Sequence, residues 1–230
     1  KSMIIFLPLL FIWVLLSNSI QLTFGCERTS AEFKINRQKI IINNLMKKSI
    51  NRDQAILILN NMLSNKSLII HSYSVALVME YYGKKLNENE EIYYITGLLH
   101  DADYEKYPND HPNIIVNKLK EINEQEIAYA ISCHYSKWGI EVKNKLDKYL
   151  LACDELTGFI VACTKVRPNG ISDLKPKSVK KSLKKKSFAA SVDRNEIIKG
   201  IDLIDYDLDD HISNIINVLK ANAEFLELKS

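Results

Sequence analysis

From Asn51 onward the apolar residues recur at helical spacing, and no stretch alternates position by position as a half-buried strand would. The periodicity predicts a first helix ending near Met62, capped by Asn51 or Asp53, with Ala55, Ile56, Ile58 and Leu59 on its buried face. A second is expected over 67–82, closed by Gly83 as its C-cap. A third spans 90–100 behind Asn89, a good capping residue. Proline suits the first helical position, so His111 before Pro112 is expected to cap a helix reaching Ile122. Further helices are predicted over 124–134, 143–166, 176–186, 194–203 and 208–226, with Asn169-Gly170 marking a loop over 169–174. There is no internal repeat. The predicted class is all-α, a helical bundle.

Composition agrees with that class. Seven glycines and five prolines in 230 residues are too few for a loop-rich β-sandwich, and 47% hydrophobic residues supply a core. Lys and Arg number 31 against 28 Asp and Glu, and a net charge of +3 gives no reason to expect nucleic acid. Cys26, Cys133, Cys153 and Cys163 form no CxxC pair, which argues against a cysteine zinc site. Three of them lie in apolar helical runs, where free cysteine acts as a small hydrophobe.

Residues 1–45 stand apart from the domain expected over 46–230. Ser2 to Cys26 carry no charge, and the run from Met3 to Leu16 is almost wholly apolar. Three readings follow: a signal peptide, a membrane anchor, or an upstream translation ahead of a start at Met46. A start at Met46 implies a cytoplasmic protein, and retention of the apolar run implies export or membrane attachment.

The chemistry-bearing residues fall in an ordered series: His71, His100-Asp101, His111, His134 and Asp154. Imidazole and carboxylate are the ligands of borderline divalent metals. Each has an ordinary alternative, such as a core histidine, a cap or an ion pair, but apolar helices seldom gather six such groups by accident. Consecutive His100 and Asp101 point about 100° apart on a helix, so both reach one ion most easily where the helix ends. Gly97 and Gly158 are small residues that permit close approach of neighbouring helices. His211, beside Asp209 and Asp210 at a helix start, is expected on the exposed surface.

The motif His71, His100-Asp101, Asp154 resembles the signature of the HD superfamily of metal-dependent phosphohydrolases, HDIG-type proteins included. With His111 and His134 added, it resembles the branch that holds two metals, with Asp101 bridging. The chain from Met46 to about Leu226 is also similar to a family of small bacterial and archaeal HD hydrolases. The matching stretches are Gly97 to Tyr104, Asp154 to Gly158, Lys165-Val166-Arg167-Pro168, Lys177 to Lys181 and Lys186-Ser187-Phe188-Ala189-Ala190. The resemblance implies a helical fold, divalent cations (Fe, Mn, Co, Ni, Zn or Mg) and hydrolysis of a phosphate ester or anhydride, such as a nucleotide.

In that chemistry two cations lower the pKa of a water and clamp the attacked phosphoryl group. Asp101 and Asp103 are the candidate catalytic carboxylates, Asp103 serving either as general acid/base or as support for a ligand. Its ordinary alternative is a solvated loop carboxylate. Lys165 and Arg167 lie about 16–20 Å beyond Asp154 along one helix and can either meet the far end of a phosphorylated substrate or cap the helix. Lys177, Lys180, Lys181 and Lys184 form one stripe, read as a solvated face. Without interleaved aromatics the stripe offers no platform for single-stranded nucleic acid. Two further readings use the same ligands: a di-iron oxygenase, and a non-catalytic regulator that binds nucleotides.

Overall fold

The computed structural model describes residues 49–229. Cys26 and all three readings of residues 1–45 lie outside the described residues. Nine α-helices and one 3-10 turn make up the described residues, with no strand among them. They are α1 (Arg52–Met62), α2 (Lys66–Lys85), α3 (Glu90–Leu99), α4 (Asn113–Glu121), α5 (Gln125–His134), α6 (Lys145–Lys165), α7 (Pro176–Leu183), α8 (Arg194–Ile204) and α9 (Leu208–Ala221). The 3-10 turn, Ser136–Trp138, follows α5 directly.

Local chemistry starts most helices. Asn51, Asn65, Asn89, Asp193 and Asp207 each accept backbone N–H bonds at an N-terminus, a contribution of about 1 kcal/mol per cap. Asn51 completes a capping box with Gln54. The N-terminus of the described segment is tied down as well, for Ile50 is buried and its N–H donates to Glu124 at 2.6 Å.

Two caps differ from expectation. Gly83 does not end α2, which runs on to Lys85; the left-handed residue is Asn87, at φ 55°. Gly83 instead lets the start of α3 approach, since a Cβ there would lie 3.1 Å from Glu90 Cα. His111 is not a cap either: α4 begins at Asn113, and the His111 ring is drawn away by Asp103. α9 also stops short of the expected end, because the chain turns after Ala221 while still burying Leu226.

The centre of the bundle is α2, α3 and α6. α2 packs along α3, and α6 lies across α2 with α5 and α8 on its other flanks. The core is continuous, with Val75, Val78, Met79, Leu98, Leu99, Ile131, Leu150, Phe159 and Ile160 all fully buried. Cys133, Cys153 and Cys163 are buried free thiols, as expected of small hydrophobes. Among the described residues no helix is long and apolar enough to cross a membrane.

His211 overturns the surface expectation. It is fully buried, its Nε2–H donates to the Ala152 carbonyl at 2.9 Å, and its Nδ1 accepts from the Tyr82 hydroxyl. On α9 its neighbours at helical spacing are Ile215 and Leu219, both buried, so it sits on the apolar face.

Candidate metal centre

The core helices deliver their polar residues to one point. His71 comes from the second turn of α2, His100 and Asp101 from the first two residues past α3, His134 from the last residue of α5 and Asp154 from the middle of α6. His111 comes from the turns before α4. α3 closes as its polar pair arrives: Leu99 is its last residue, and the Ala102 and Tyr104 amides donate into turns. Gly97 makes the approach possible, since a Cβ there would meet Ala76 Cα at 2.8 Å. Gly158 does something different: it leaves room for the His71 ring, 3.5 Å from where its Cβ would stand.

The six groups form two sets that share Asp101. In the first, His71 Nε2 lies 3.0 Å from Asp154 Oδ1 and 3.2 Å from His100 Nε2. His100 Nε2 is 3.2 Å from Asp154 Oδ1 and 3.4 Å from Asp101 Oδ2. In the second, His111 Nε2 and His134 Nε2 lie 3.3 Å and 3.5 Å from the other oxygen, Asp101 Oδ1. His71, His100 and Asp101, and likewise Asp101, His111 and His134, offer ligand atoms close enough to hold a metal ion.

The hydrogen bonds behind the rings show why a cation fits. His100 Nδ1–H donates to Gly97 O at 2.7 Å, His111 Nδ1–H to Asp103 Oδ1 at 2.6 Å, and His134 Nδ1–H to Ile131 O. Each ring has its proton on Nδ1, so each Nε2 turns a lone pair toward carboxylate oxygens that are themselves acceptors. Lone pairs facing lone pairs at 3–3.5 Å are unfavourable unless a positive charge stands among them. Donation of the remote N–H to a carbonyl or carboxylate is also how metal-binding histidines are usually held.

Charge follows the same logic. Burial disfavours the charged form of His100, but Asp101 and Asp154 outweigh it and hold its pKa well above the ordinary value. Burial works against ionising both aspartates, yet the imidazoles hold them well below the usual carboxylate range. A proton there takes the part of a metal cation. Next to the cluster, burial and then the charge of Asp154 push Glu155 up to about 7.

The centre forms the floor of a cavity of about 620 Å³. Its walls are Leu68, Tyr104, Tyr135, Ser136 and Lys137 at the 3-10 turn, the α6 residues Glu155, Gly158 and Ala162, and Ala189, Ser191, Val192, Asp193 and Glu196. Sequence reasoning gave no role to Tyr135, Ser136, Lys137, Asp193 or Glu196. For the first three a signal existed, since they follow His134 directly. For Asp193 and Glu196 there was none, because only the docking of α8 on α6 brings them in.

Several expected site residues are placed differently. Asp103 is not the solvated loop carboxylate of its ordinary alternative, and its bonds are those of a group that supports a ligand. It is fully buried, with Oδ1 on His111 and Oδ2 accepting from Ile115 N–H at 2.9 Å, so it positions His111. Lys165 and Arg167 do not line the cavity. Arg167 instead bonds Asp173 at 2.9 Å through Nε and closes the loop after α6. In the lysine stripe, Lys177, Lys181 and Lys184 are exposed as expected, while Lys180 pairs with Asp209 at 2.5 Å.

Residues 68–158 match the family model of the HD domain. This segment holds His71, His100, Asp101, His111, His134 and Asp154, and it is an HD domain of the metal-dependent hydrolase superfamily. No curated protein and no solved structure matches the chain.

Proposed function

We propose that the chain is a dinuclear metal-dependent phosphohydrolase acting on a small phosphate ester, with a nucleoside monophosphate the best fit to the cavity. The carrying observation is Asp101, whose Oδ2 faces His100 while its Oδ1 faces His111 and His134. One carboxylate shared between two imidazole sets suits two cations better than one. His71, His100, Asp101 and Asp154 would hold one ion, and Asp101, His111 and His134 the other. Bound there, a metal pair supplies an activated water and positive charge for the phosphoryl oxygens.

The chain's own groups account for the rest. Burial of the imidazoles keeps bulk water from competing for the ligand atoms, and Asp103 fixes the face that His111 presents. Glu155, at the edge of the centre, accepts the Asp193 N–H and so ties the far wall of the cavity to α6. Lys137 is the single Lys or Arg lining the cavity, against Glu155, Asp193 and Glu196. That balance favours an alcohol portion rich in hydroxyl and amine donors over a polyphosphate tail.

The test is phosphate release from nucleotides with added manganese, iron, cobalt, nickel, zinc or magnesium, with metal content measured on the same samples. Asp101→Ala is expected to lose both turnover and metal while its far-ultraviolet dichroism stays helical. Phosphate release at the parental rate by that variant would refute the assignment. Oxygen uptake without phosphate release would replace it with the di-iron oxygenase.

A further inference from the structure

The stretch Lys186-Ser187-Phe188-Ala189-Ala190 contributes no ligand to the metal centre, yet Ala189 and the following Ser191, Val192 and Asp193 line its cavity. No helix covers residues 184–193, so something else must hold this wall in place. Arg194, the first residue of α8, does so. Its Nη1–H groups donate to the carbonyls of Ala189 and Val192, the latter at 2.6 Å, and its Nη2–H donates to the Phe188 carbonyl. Its guanidinium stands 5.0 Å from the Phe159 ring centroid, and Phe188 packs edge-on against that same ring at 5.5 Å. Asp193 N–H completes the attachment by donating to Glu155 at 3.3 Å.

The backbone shows that this conformation is imposed. Ala189 sits at φ 45°, a left-handed conformation that a residue with a Cβ adopts only when its surroundings hold it there. The Ala189 carbonyl accepts from both Val192 N–H and Arg194. A planar fork meeting three carbonyls is a task for arginine; the point charge of lysine cannot reproduce it.

We infer that Arg194 is a positioning residue that clamps residues 188–192 as the outer wall of the cavity and thereby sets how tightly the alcohol portion of a substrate is held. This deepens the hydrolase reading and rests on it. The metal ligands all lie on other elements, so loosening the wall leaves the reacting centre in place.

The experiment compares the metal-loaded parent with Arg194→Lys, using adenosine monophosphate and p-nitrophenyl phosphate, whose compact leaving group needs little of the wall. Loss of the clamp is expected to raise KM for adenosine monophosphate roughly tenfold, the worth of about one hydrogen bond, with kcat within about twofold. Kinetics on p-nitrophenyl phosphate and metal content are expected to stay at parental values. Amide hydrogen exchange is expected to speed up over 188–193 and nowhere else in the chain. Phe188→Leu, which weakens the other anchor of the wall, should give the same split if Arg194→Lys fails to fold. Unchanged exchange over 188–193, or loosened exchange with an unchanged KM, overturns the proposal. If the parent releases no phosphate from either compound, the hydrolase reading fails and the substrate-wall role with it; exchange in Arg194→Lys then reports separately on the clamp.

Discussion

Asp103 accepts the Nδ1–H of His111 at 2.6 Å and so turns the imidazole until Nε2 stands 3.3 Å from Asp101. Both oxygens of Asp103 are used, one on His111 and one on the Ile115 amide. Asparagine offers one acceptor oxygen for these two donors. Asp103→Asn is therefore expected to weaken metal binding at the set formed by Asp101, His111 and His134 by about 10–100-fold. Metal stoichiometry after dialysis against graded chelator should show one ion leaving early while the other stays. Two ions held as tightly as in the parent would remove the positioning role.

The contact between Gly97 and Ala76 sets the spacing of the two helices that carry His100 and His71. A Cβ at Gly97 would lie 2.8 Å from Ala76 Cα and 2.9 Å from Val75 C, which are backbone atoms that cannot swing aside. Gly97→Ala is expected to cost about 1–3 kcal/mol, as overpacking in a tight core does. It should lower metal affinity as well, because the two imidazoles are pushed apart. Gly158→Ala should be milder, for its Cβ would make only an ordinary 3.5 Å contact with the His71 ring. Equal melting temperatures for the two variants would contradict this ranking.

What the chain revealed beforehand divides along local and non-local lines. Asn51 and Asn89 cap helices through bonds to residues within three positions, so their roles were readable in sequence. The six clustered groups were readable too, because ligand types so dense in an apolar background have few other uses. Their sharing of Asp101 between two sets was implied only by the family resemblance, since which oxygen faces which ring is a matter of the fold. Asp103 looked ambiguous because its partner His111 returns to it across irregular turns that no periodicity describes. Arg194 stands in the first turn of a helix with no local pattern to mark it, and only the folded loop brings three carbonyls to it. His211 was misjudged from its acidic neighbours, although its spacing from Ile215 and Leu219 already placed it on the buried face.

Removing the cations should cost stability as well as any activity. Without them, the charge on Asp101 and Asp154 is met chiefly by a proton on buried His100, whose burial opposes that charge. A metal at a thousand times its dissociation constant adds about 4 kcal/mol to a folded state that alone binds it. Thermal unfolding with and without excess chelator is expected to show a lower midpoint for the stripped protein, restored by adding back the metal found in the parent. A midpoint indifferent to chelator would mean that the ligand cluster is stable without cations.

His211 offers a pH-dependent test of the core, away from the proposed ligands. Burial opposes its charged form and pushes its pKa down to about 4, and its ring is neutral with Nε2–H on Ala152 O and Nδ1 facing the Tyr82 hydroxyl. In an unfolded chain the imidazole titrates near 6.5. The unfolded state therefore binds more protons as pH falls from about 6.5 to about 4, and the folded state loses stability across that window. His211 gives its full contribution above about pH 6.5, and the loss levels off below about pH 4. Between pH 7.5 and pH 5 the loss is about 2 kcal/mol. His211→Ala should cost about 3 kcal/mol at pH 7.5, because it leaves a buried hydroxyl and a carbonyl without this partner. At pH 5 the gap between parent and variant should shrink by about 2 kcal/mol, as measured by urea denaturation of both. A gap that is the same at both pH values would show that the buried imidazole is not held neutral.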